Sequence, residues 1–315
     1  MRVLIIGSSH PWRMEFACEL ALRRAGHETL LIDDRRKKRL VGWRLTQWWA
    51  LRSAKNFRPD FVFLSKCHAL EPDTVASIIA GVPNAMWYHD ALWFRDVDRP
   101  AIAHIVKIGQ LANTFFVTGF ENEWARHGLR AKWLPSAAAA EIHPAPKDPA
   151  FASDIAFIGA GYDPDRARLL VEVSRHHDVR VWGPAWEDWK DQLNWTGRSV
   201  EGRDFAAVCS STKIMLGINP TKGSNGNFIS DRLWMVILAG AFHLGQRSPG
   251  IDSMLREGEH AAWYDDAASC IEQCDYYLAN PDKREAVRAE GERYVRANHT
   301  YDQRIENLLY DREYK

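Results

Sequence analysis

Apolar and polar positions along the first half of the chain follow two rhythms in alternation. Short apolar runs, RVLIIG, ETLLID, FVFLS, NAMWYH and TFFVTG, read as buried strands. Between them lie stretches with helical spacing, such as PWRMEFACELALRRAG, which Gly26 closes. Fully apolar strands interleaved with helices are what a parallel sheet covered on both faces requires. From Leu134 to Ser153 the rhythm stops in an Ala- and Pro-rich stretch, the composition of a crossing between domains. It then resumes with strand DIAFIG, helix DPDRARLLVEVSRH, strand VRVWG, helix RDFAAVCSS and strand KIMLGIN. The segment DRLWMVILAG is again helical, AFHLG and AAWYD are strands, and three helical stretches follow. The pattern predicts an α/β protein of two Rossmann-like domains facing across a cleft, with a helical C-terminus. The expected boundaries are an N-terminal domain over 1–140, a linker over 141–153, a second domain over 154–297 and a final helix over 298–315 that packs back on the first domain. A cleft between two such domains is the default ligand site.

Composition changes this picture little. A length of 315 residues suits two domains, and 46% hydrophobic with 26% charged residues is ordinary for a soluble protein. With 41 cations against 41 acids, no global attraction to nucleic acid or an anionic membrane exists, so any such contact must come from a local patch. MRVLIIGSSH runs straight into a strand and lacks the form of a signal peptide. The longest apolar run, LWMVILAGAF, is about half of the ~20 residues that cross a bilayer. The expectation is a soluble, cytoplasmic protein. Five cysteines, odd in number and scattered without a C-x-x-C pair, point to reduced structural thiols and to no zinc site. The 14 tryptophans are many, several of them in WGPAWEDWKDQLNW. They serve either packing or the binding of a sugar or base.

Ligands of open parallel sheets bind beyond the carboxyl ends of the strands. In the first domain those ends carry His10 after Gly7-Ser8-Ser9, Asp33-Asp34, Lys66 with His68, and His89-Asp90. In the second they carry Gly159, Gly161 and Tyr162, then Gly183, Asn219 and Asp265-Asp266. A nicotinamide site is disfavoured, because GSSHPW has one glycine where G-x-G-x-x-G is needed, and GAGYDPDR lacks the third.

Arg232 stands out. It opens a helix, where the dipole disfavours a cation by a few tenths of a kcal/mol, up to about 1. An anion held at that N-terminus by backbone N–H groups, with TKGSNGN letting the backbone come close, explains the position. The guanidinium then grips a diphosphate as a bidentate donor. Lys213, Lys222, Asn227 and Asp231 are near in sequence and join Asn219 and Arg232 as candidate donor-binding residues. The plain alternative is an arginine paired with Asp231 or turned into water.

Two further features carry candidate chemistry. His89 and Asp90 suit proton transfer from an acceptor hydroxyl, with His10 as the alternate and His68 behind it, against the plain alternative of structural histidines. The run Arg35, Arg36, Lys37, Lys38 and Arg39 precedes Trp43, Trp48 and Trp49. It is a solvated helix, a surface for a phosphate-rich acceptor such as DNA, or a surface for a membrane lipid. DNA as acceptor would require base access in the duplex.

The segment RLWMVILAGAFHL resembles the R-x-F-E-A-x-A-x-G-A-x-x-I segment of GT-B glycosyltransferases, in particular those similar to the spore-maturation protein CgeB. Other pieces match in order: DIAFIGAGYDPDRARLL, VRVWGPAW, KIMLGIN and a tail ending in HTYDQR, with NAMWYHDALWF a short match in the first domain. The resemblance implies a glycosyltransferase that retains anomeric configuration and uses a nucleotide-sugar as co-substrate. The donor would lie on the second domain and the acceptor on the first. By position, Gly159 and Gly161 would approach the diphosphate and Arg232 would neutralise it, with no metal or other cofactor. One departure is Met235, where related retaining enzymes place a glutamate on the donor ribose; Asp231 or Asp265-Asp266 would have to substitute. The expectation is a metal-independent glycosyltransferase acting on a hydroxyl acceptor, nucleic acid included. A non-catalytic nucleotide- or nucleic-acid-binding protein and a nicotinamide oxidoreductase are the alternatives.

Overall fold

The computed structural model describes residues 1–90, 99–219, 227–312 and 314. The chain divides into two compact units, Met1–Ala140 with Tyr301–Lys315, and Glu141–Thr300.

Six strands form the sheet of the first unit: β1 (Arg2–Ile6), β2 (Glu28–Ile32), β3 (Phe61–Leu64), β4 (Asn84–Tyr88), β5 (Thr114–Val117) and β6 (Ala131–Trp133). All are parallel, in the order β2-β1-β3-β4-β5-β6. The helices between them are α1 (Met14–Arg24), α2 (Asp34–Val41), α3 (Trp43–Phe57), α4 (Pro72–Ile79) and α5 (Arg99–Leu111). Because strand side chains alternate between faces, Val3 and Ile5 pack with Met14, Cys18 and Leu22 of α1, whereas Leu4 and Ile6 join Ala50, Val75 and Ile105 on the other side. Both faces are covered, which is why the strands read as continuous apolar runs.

The second unit repeats the plan with β7 (Ser153–Ile158), β8 (Val179–Trp182), β9 (Asn194–Trp195), β10 (Thr212–Gly217), β11 (His243–Gln246) and β12 (Ala262–Tyr264). Its helices are α6 (Pro164–Ser174), α7 (Gly202–Ser211), α8 (Asp231–Leu238), α9 (Ala267–Ala279) and α10 (Pro281–Asn298). The order β12-β11-β10-β7-β8-β9 is the Rossmann arrangement, with the topological switch between β7 and β10. In the first sheet the switch falls between β1 and β3. Two of the short edge strands, β6 and β9, carry no apolar pattern: β6 is half-buried throughout and β9 has two residues.

The last helix, α11 (Tyr301–Tyr310), belongs to the first unit. Ile305 and Leu308 enter the α1 face of the core, and Asp302 takes both Arg24 Nε and Nη2, at 2.8 and 2.9 Å. Ala145, before β7, donates its backbone N–H to Ser210 Oγ at 3.0 Å, so this stretch is bonded into the second unit. All five cysteines are buried free thiols. Among the described residues no helix is long and apolar enough to cross a membrane.

His243 in β11 shows how tightly the second sheet is closed. A Cβ on Gly217 would lie 2.3 Å from its Cε1 and one on Gly245 2.6 Å from its Nε2, so glycine makes room for the ring. Burial pushes the imidazole pKa down to about 4. The unfolded chain, with an ordinary value near 6.5, therefore binds a proton first as pH falls. The neutral ring contributes fully above about pH 6.5, and roughly 3 kcal/mol of stability is lost between there and pH 4. Urea unfolding across that range is expected to show this slope, and His243→Asn, which does not titrate, to lack its share of it.

Candidate functional site

At the switch point of the second sheet, β7 ends in Gly159-Ala160-Gly161 and β10 in Ile218-Asn219. The loop after β7 is crowded by backbone. A Cβ on Gly161 would sit 2.1 Å from the Ala185 carbonyl oxygen, and one on Gly183 2.1 Å from that of Gly159. Gly183 also holds φ +132°, which side chains other than hydrogen rarely allow. Two indoles brace the loop: Trp186 Nε1 donates to Gly159 O and Trp195 Nε1 to Gly183 O, both at 2.8 Å. Trp182 and Trp186 are buried. The tryptophan-rich stretch thus packs beneath the loop and holds its shape.

Arg232 is the second residue of α8, after the N-cap Ser230. Its side chain is turned to the loop, with Nη1 3.0 Å from where a Cβ on Gly159 would stand. Among the described residues the guanidinium makes no hydrogen bond or ion pair, and the pairing with Asp231 is not formed. Asp231 is exposed and accepts instead from Ser230 Oγ at 3.4 Å. Ser230 also accepts from Arg232 N at 3.4 Å, so part of the helix N-terminus is satisfied within the chain. Burial and the nearby Arg166 cation both lower the Arg232 pKa.

Arg166 is the residue that sequence reasoning passed over. It sits in the first turn of α6, behind the cap Asp163, and is buried. Its Nη1 donates to Ala160 O at 2.8 Å and its Nη2 to Ile218 O at 3.4 Å, tying the ends of β7 and β10 together. Its Nε is buried without a partner, and no carboxylate pairs with it among the described residues. The signal that singled out Arg232, an arginine in the first turn of a helix, applied equally to DPDR.

The other donor candidates divide. Tyr162 is exposed over the Arg166 guanidinium, 5.7 Å from ring centre to Cζ. Asn219 Nδ2 donates to Ser248 Oγ and anchors the end of β10, while half-buried Asn227 lies before α8. Lys222 lies outside the described residues. Lys213 does not belong to the group. It occupies the amino end of β10, where it pairs with Asp154 at 2.6 Å. Six residue steps of extended chain, at about 3.3 Å each, separate it from Asn219, so nearness in sequence is not nearness in space. Asp265 pairs with Arg247 at 3.5 Å, and Asp266 caps α9 through Ser269, so both are engaged. Met235 is half-buried, one turn beyond Arg232 in α8.

In the first unit, His89 and Asp90 follow the carboxyl end of β4. Asp90 is held by Lys66 at 2.6 Å, and the His89 carbonyl accepts from Thr118 Oγ1 at 3.1 Å. His10 is exposed after β1, its Nδ1 accepting from Trp12 N at 3.3 Å. His68 stacks with His104. Asp33 binds Ser9 through N and Oγ, both at 2.9 Å. Arg35, Arg36, Lys37, Lys38 and Arg39 lie on α2, where Lys37 covers the Trp49 ring and Lys38 the Trp43 ring.

Among the described residues, Glu259, His260 and Glu290 bring ligand atoms within 4.8 Å of one another, close enough for a metal ion. Arg256 already pairs with Glu259 at 3.1 Å and Arg293 with Glu290. The donor set is thereby neutralised, which does not suit a divalent cation.

The crowding predicts a sharp cost for one methyl group. Gly161→Ala and Gly183→Ala are each expected to lose about 2 kcal/mol or more in denaturant unfolding, because backbone has to move. Gly26→Ala has open space around its Cβ and is expected to lose only its positive-φ strain of about 1 kcal/mol.

Residues 166–310 match a family of sequences described as glycosyl transferase-like. No curated protein sequence matches the chain. Anabaena Alr3699/HepE in complex with UDP-glucose superposes with a TM-score of 0.66 at 9% identity, covering 99% of this chain and 100% of that one. Sucrose-phosphate synthase from Thermosynechococcus elongatus gives 0.66 at 11% identity, covering 99% and 98%. T4 phage BGT in complex with its UDP-glucose substrate gives 0.65 at 12% identity, covering 98% and 99%. The chain has the GT-B fold, two parallel six-stranded α/β sheets and a helical C-terminus, and over residues 166–310 its sequence is glycosyl transferase-like.

Proposed function

We propose that this protein transfers a sugar from a uridine diphosphate-sugar to an acceptor hydroxyl. One observation carries the reading: Arg232 and Arg166 flank the Gly159–Gly161 loop at the switch point, and neither forms an ion pair among the described residues. Two adjacent cations in a partly desolvated niche repel each other unless an anion lies between them. A diphosphate supplies that anion. Uridine as the base is supported by the UDP and UDP-glucose held in structures of the same fold.

As the sugar leaves, negative charge builds on the departing diphosphate, and preorganised donors aimed at it stabilise the transition state. Arg232 provides a fork for two phosphate oxygens, and Arg166 fixes the loop and adds field. This cationic pair takes the part a metal plays elsewhere, so transfer proceeds without one. Asp231, exposed beside the site, is the acid for the donor ribose, since Asp265 and Asp266 are engaged. Tyr162 and Asn219 follow the same strand ends, and Asn227 precedes α8. His89 accepts the acceptor proton, with Asp90 held beside it by Lys66 and His10 as the alternate. Retention of configuration is supported by the likeness of the Arg232 segment to CgeB-like enzymes. Met235 favours a second reading, a nucleotide-binding protein without turnover; it predicts a UDP complex and no loss of sugar from the donor. A nucleic-acid acceptor rests on the cations of α2.

Saturating UDP, at 100 times its Kd, is expected to stabilise the protein by about 2.7 kcal/mol in a thermal melt. Arg232→Ala should weaken UDP by roughly 10- to 100-fold, the loss of a charge-assisted bond pair, while the unliganded melt stays put. An unchanged shift in that variant would remove Arg232 from the site. UDP release from UDP-glucose should survive EDTA; loss of turnover, restored by Mg²⁺ or Mn²⁺, would overturn the metal-free step. Without any release, the binding-only reading holds.

A further inference from the structure

From Arg35 to Pro59 the chain carries nine cations and no acid, which leaves its other residues net negative by nine. This stretch folds into α2 and α3, joined at Gly42. Thr46, Ala50 and Ala54, four residues apart, turn one side of α3 into the core. The opposite side centres on Trp48 with Leu45 and Leu51 beside it, and Arg44, Arg52 and Lys55 share that face. Nine large hydrophobic side chains are exposed among the described residues, and five of them fall between positions 40 and 51. Leu40 is 70% exposed, Trp48 60% and Leu45 58%, with Trp43 and Leu51 at 37% and 36%. The other four are Met1 and three tyrosines, so large aliphatic groups in water gather at this one place.

Cations and rings are interleaved in space as well. Lys38 Nζ lies 4.6 Å above the Trp43 ring, Lys37 Nζ 4.3 Å above Trp49 and Arg52 5.9 Å above Trp48. Trp43 Nε1 is fixed to Glu71 at 2.6 Å, which presents its ring outward rather than into the core.

We propose that α2 and α3 dock the protein on the surface of an anionic phospholipid bilayer. Leucine and tryptophan side chains enter the boundary between headgroups and acyl chains, and lysine and arginine remain among the phosphates. Charge complementarity selects the occupant. A second copy of the same surface would repel this one, nine cations against nine. A nucleic acid offers phosphates for the cations and bases for Trp48, but nothing apolar for Leu40, Leu45 and Leu51, whereas a bilayer takes both. The rest of the chain is net negative, so the attraction to an anionic surface comes from this stretch. α2 begins at the carboxyl end of β2, where its cap Asp33 also holds Ser9, so docking brings the end of the first sheet that bears His10 to the lipid. Docking does not depend on the transfer reaction.

Flotation of the full chain with vesicles tests this. Vesicles of phosphatidylcholine containing about 30% phosphatidylglycerol should retain at least ~10-fold more protein than phosphatidylcholine alone, and less as salt rises. Leu45→Ser with Trp48→Ser should reduce retention ~10-fold, and so should Lys38→Glu with Arg39→Glu. All four side chains are exposed, and an unchanged melting temperature of the unliganded protein shows that the variants remain folded. Equal retention on neutral and anionic vesicles overturns the proposal. So does tight binding to duplex DNA that the charge variant abolishes and the Leu45/Trp48 variant leaves intact, which assigns the surface to nucleic acid.

Discussion

Two guanidinium groups share one loop of the second unit, and the local structure is organised around keeping them there. Arg166 is buried and spends its fork on the carbonyls of Ala160 and Ile218, and Arg232 lies close enough to feel that cation. A folded chain ordinarily resolves such repulsion with a carboxylate. Of the two acids just before Arg166, Asp163 instead caps α6 and Asp165 pairs with Arg168 at 2.6 Å, while Asp231 is exposed. Under the proposed function this repulsion is what a bound anion would relieve, and its relief would add to affinity. An arrangement of this kind is useful only if the loop cannot relax away from the charge.

That rigidity comes from backbone and indole together. The Gly159 and Gly183 loops approach so closely that no Cβ fits between them, and Trp186 and Trp195 bind their carbonyls from the packed side. Collapse of the loop onto the arginines would break these bonds and open a void beneath. Trp186 and Trp195 therefore hold the shape of the loop from behind it. In the first unit the comparable strand ends are furnished differently. Ser9 closes on Asp33 and Lys66 on Asp90, so these polar groups are paired within the unit.

Legibility of the site followed the range of each interaction. Arg232 announced itself because its oddity is local, an arginine in the first turn of a helix behind a loop of small residues. Arg166 had the same oddity, but the run DPDRARLL also carries Arg168, and nothing in sequence separates a buried guanidinium from an exposed one. Lys213 was drawn in by proximity along the chain, yet a strand carries its two ends far apart. Asp265-Asp266 looked available for a ribose until Ser269 and Arg247 were seen to take them. Half-buried β6 and two-residue β9 left no trace in the apolar pattern, because their side chains stay partly in water, whereas β12, as short as β6 and also at an edge, is buried throughout and reads as an apolar run.

The sequence by itself determined the α/β class, ten of the twelve strands and several of the helices between them, since burial on both faces writes itself as apolar runs and amphipathic spacing. It also determined that positive charge would concentrate between Arg35 and Arg58. Tertiary structure alone decided the strand order, and with it the switch point between β7 and β10 where two distant arginines meet. It likewise decided which tryptophans are buried and which stand in water, because that depends on what packs across the sheet, and periodicity along one segment carries no record of its neighbours.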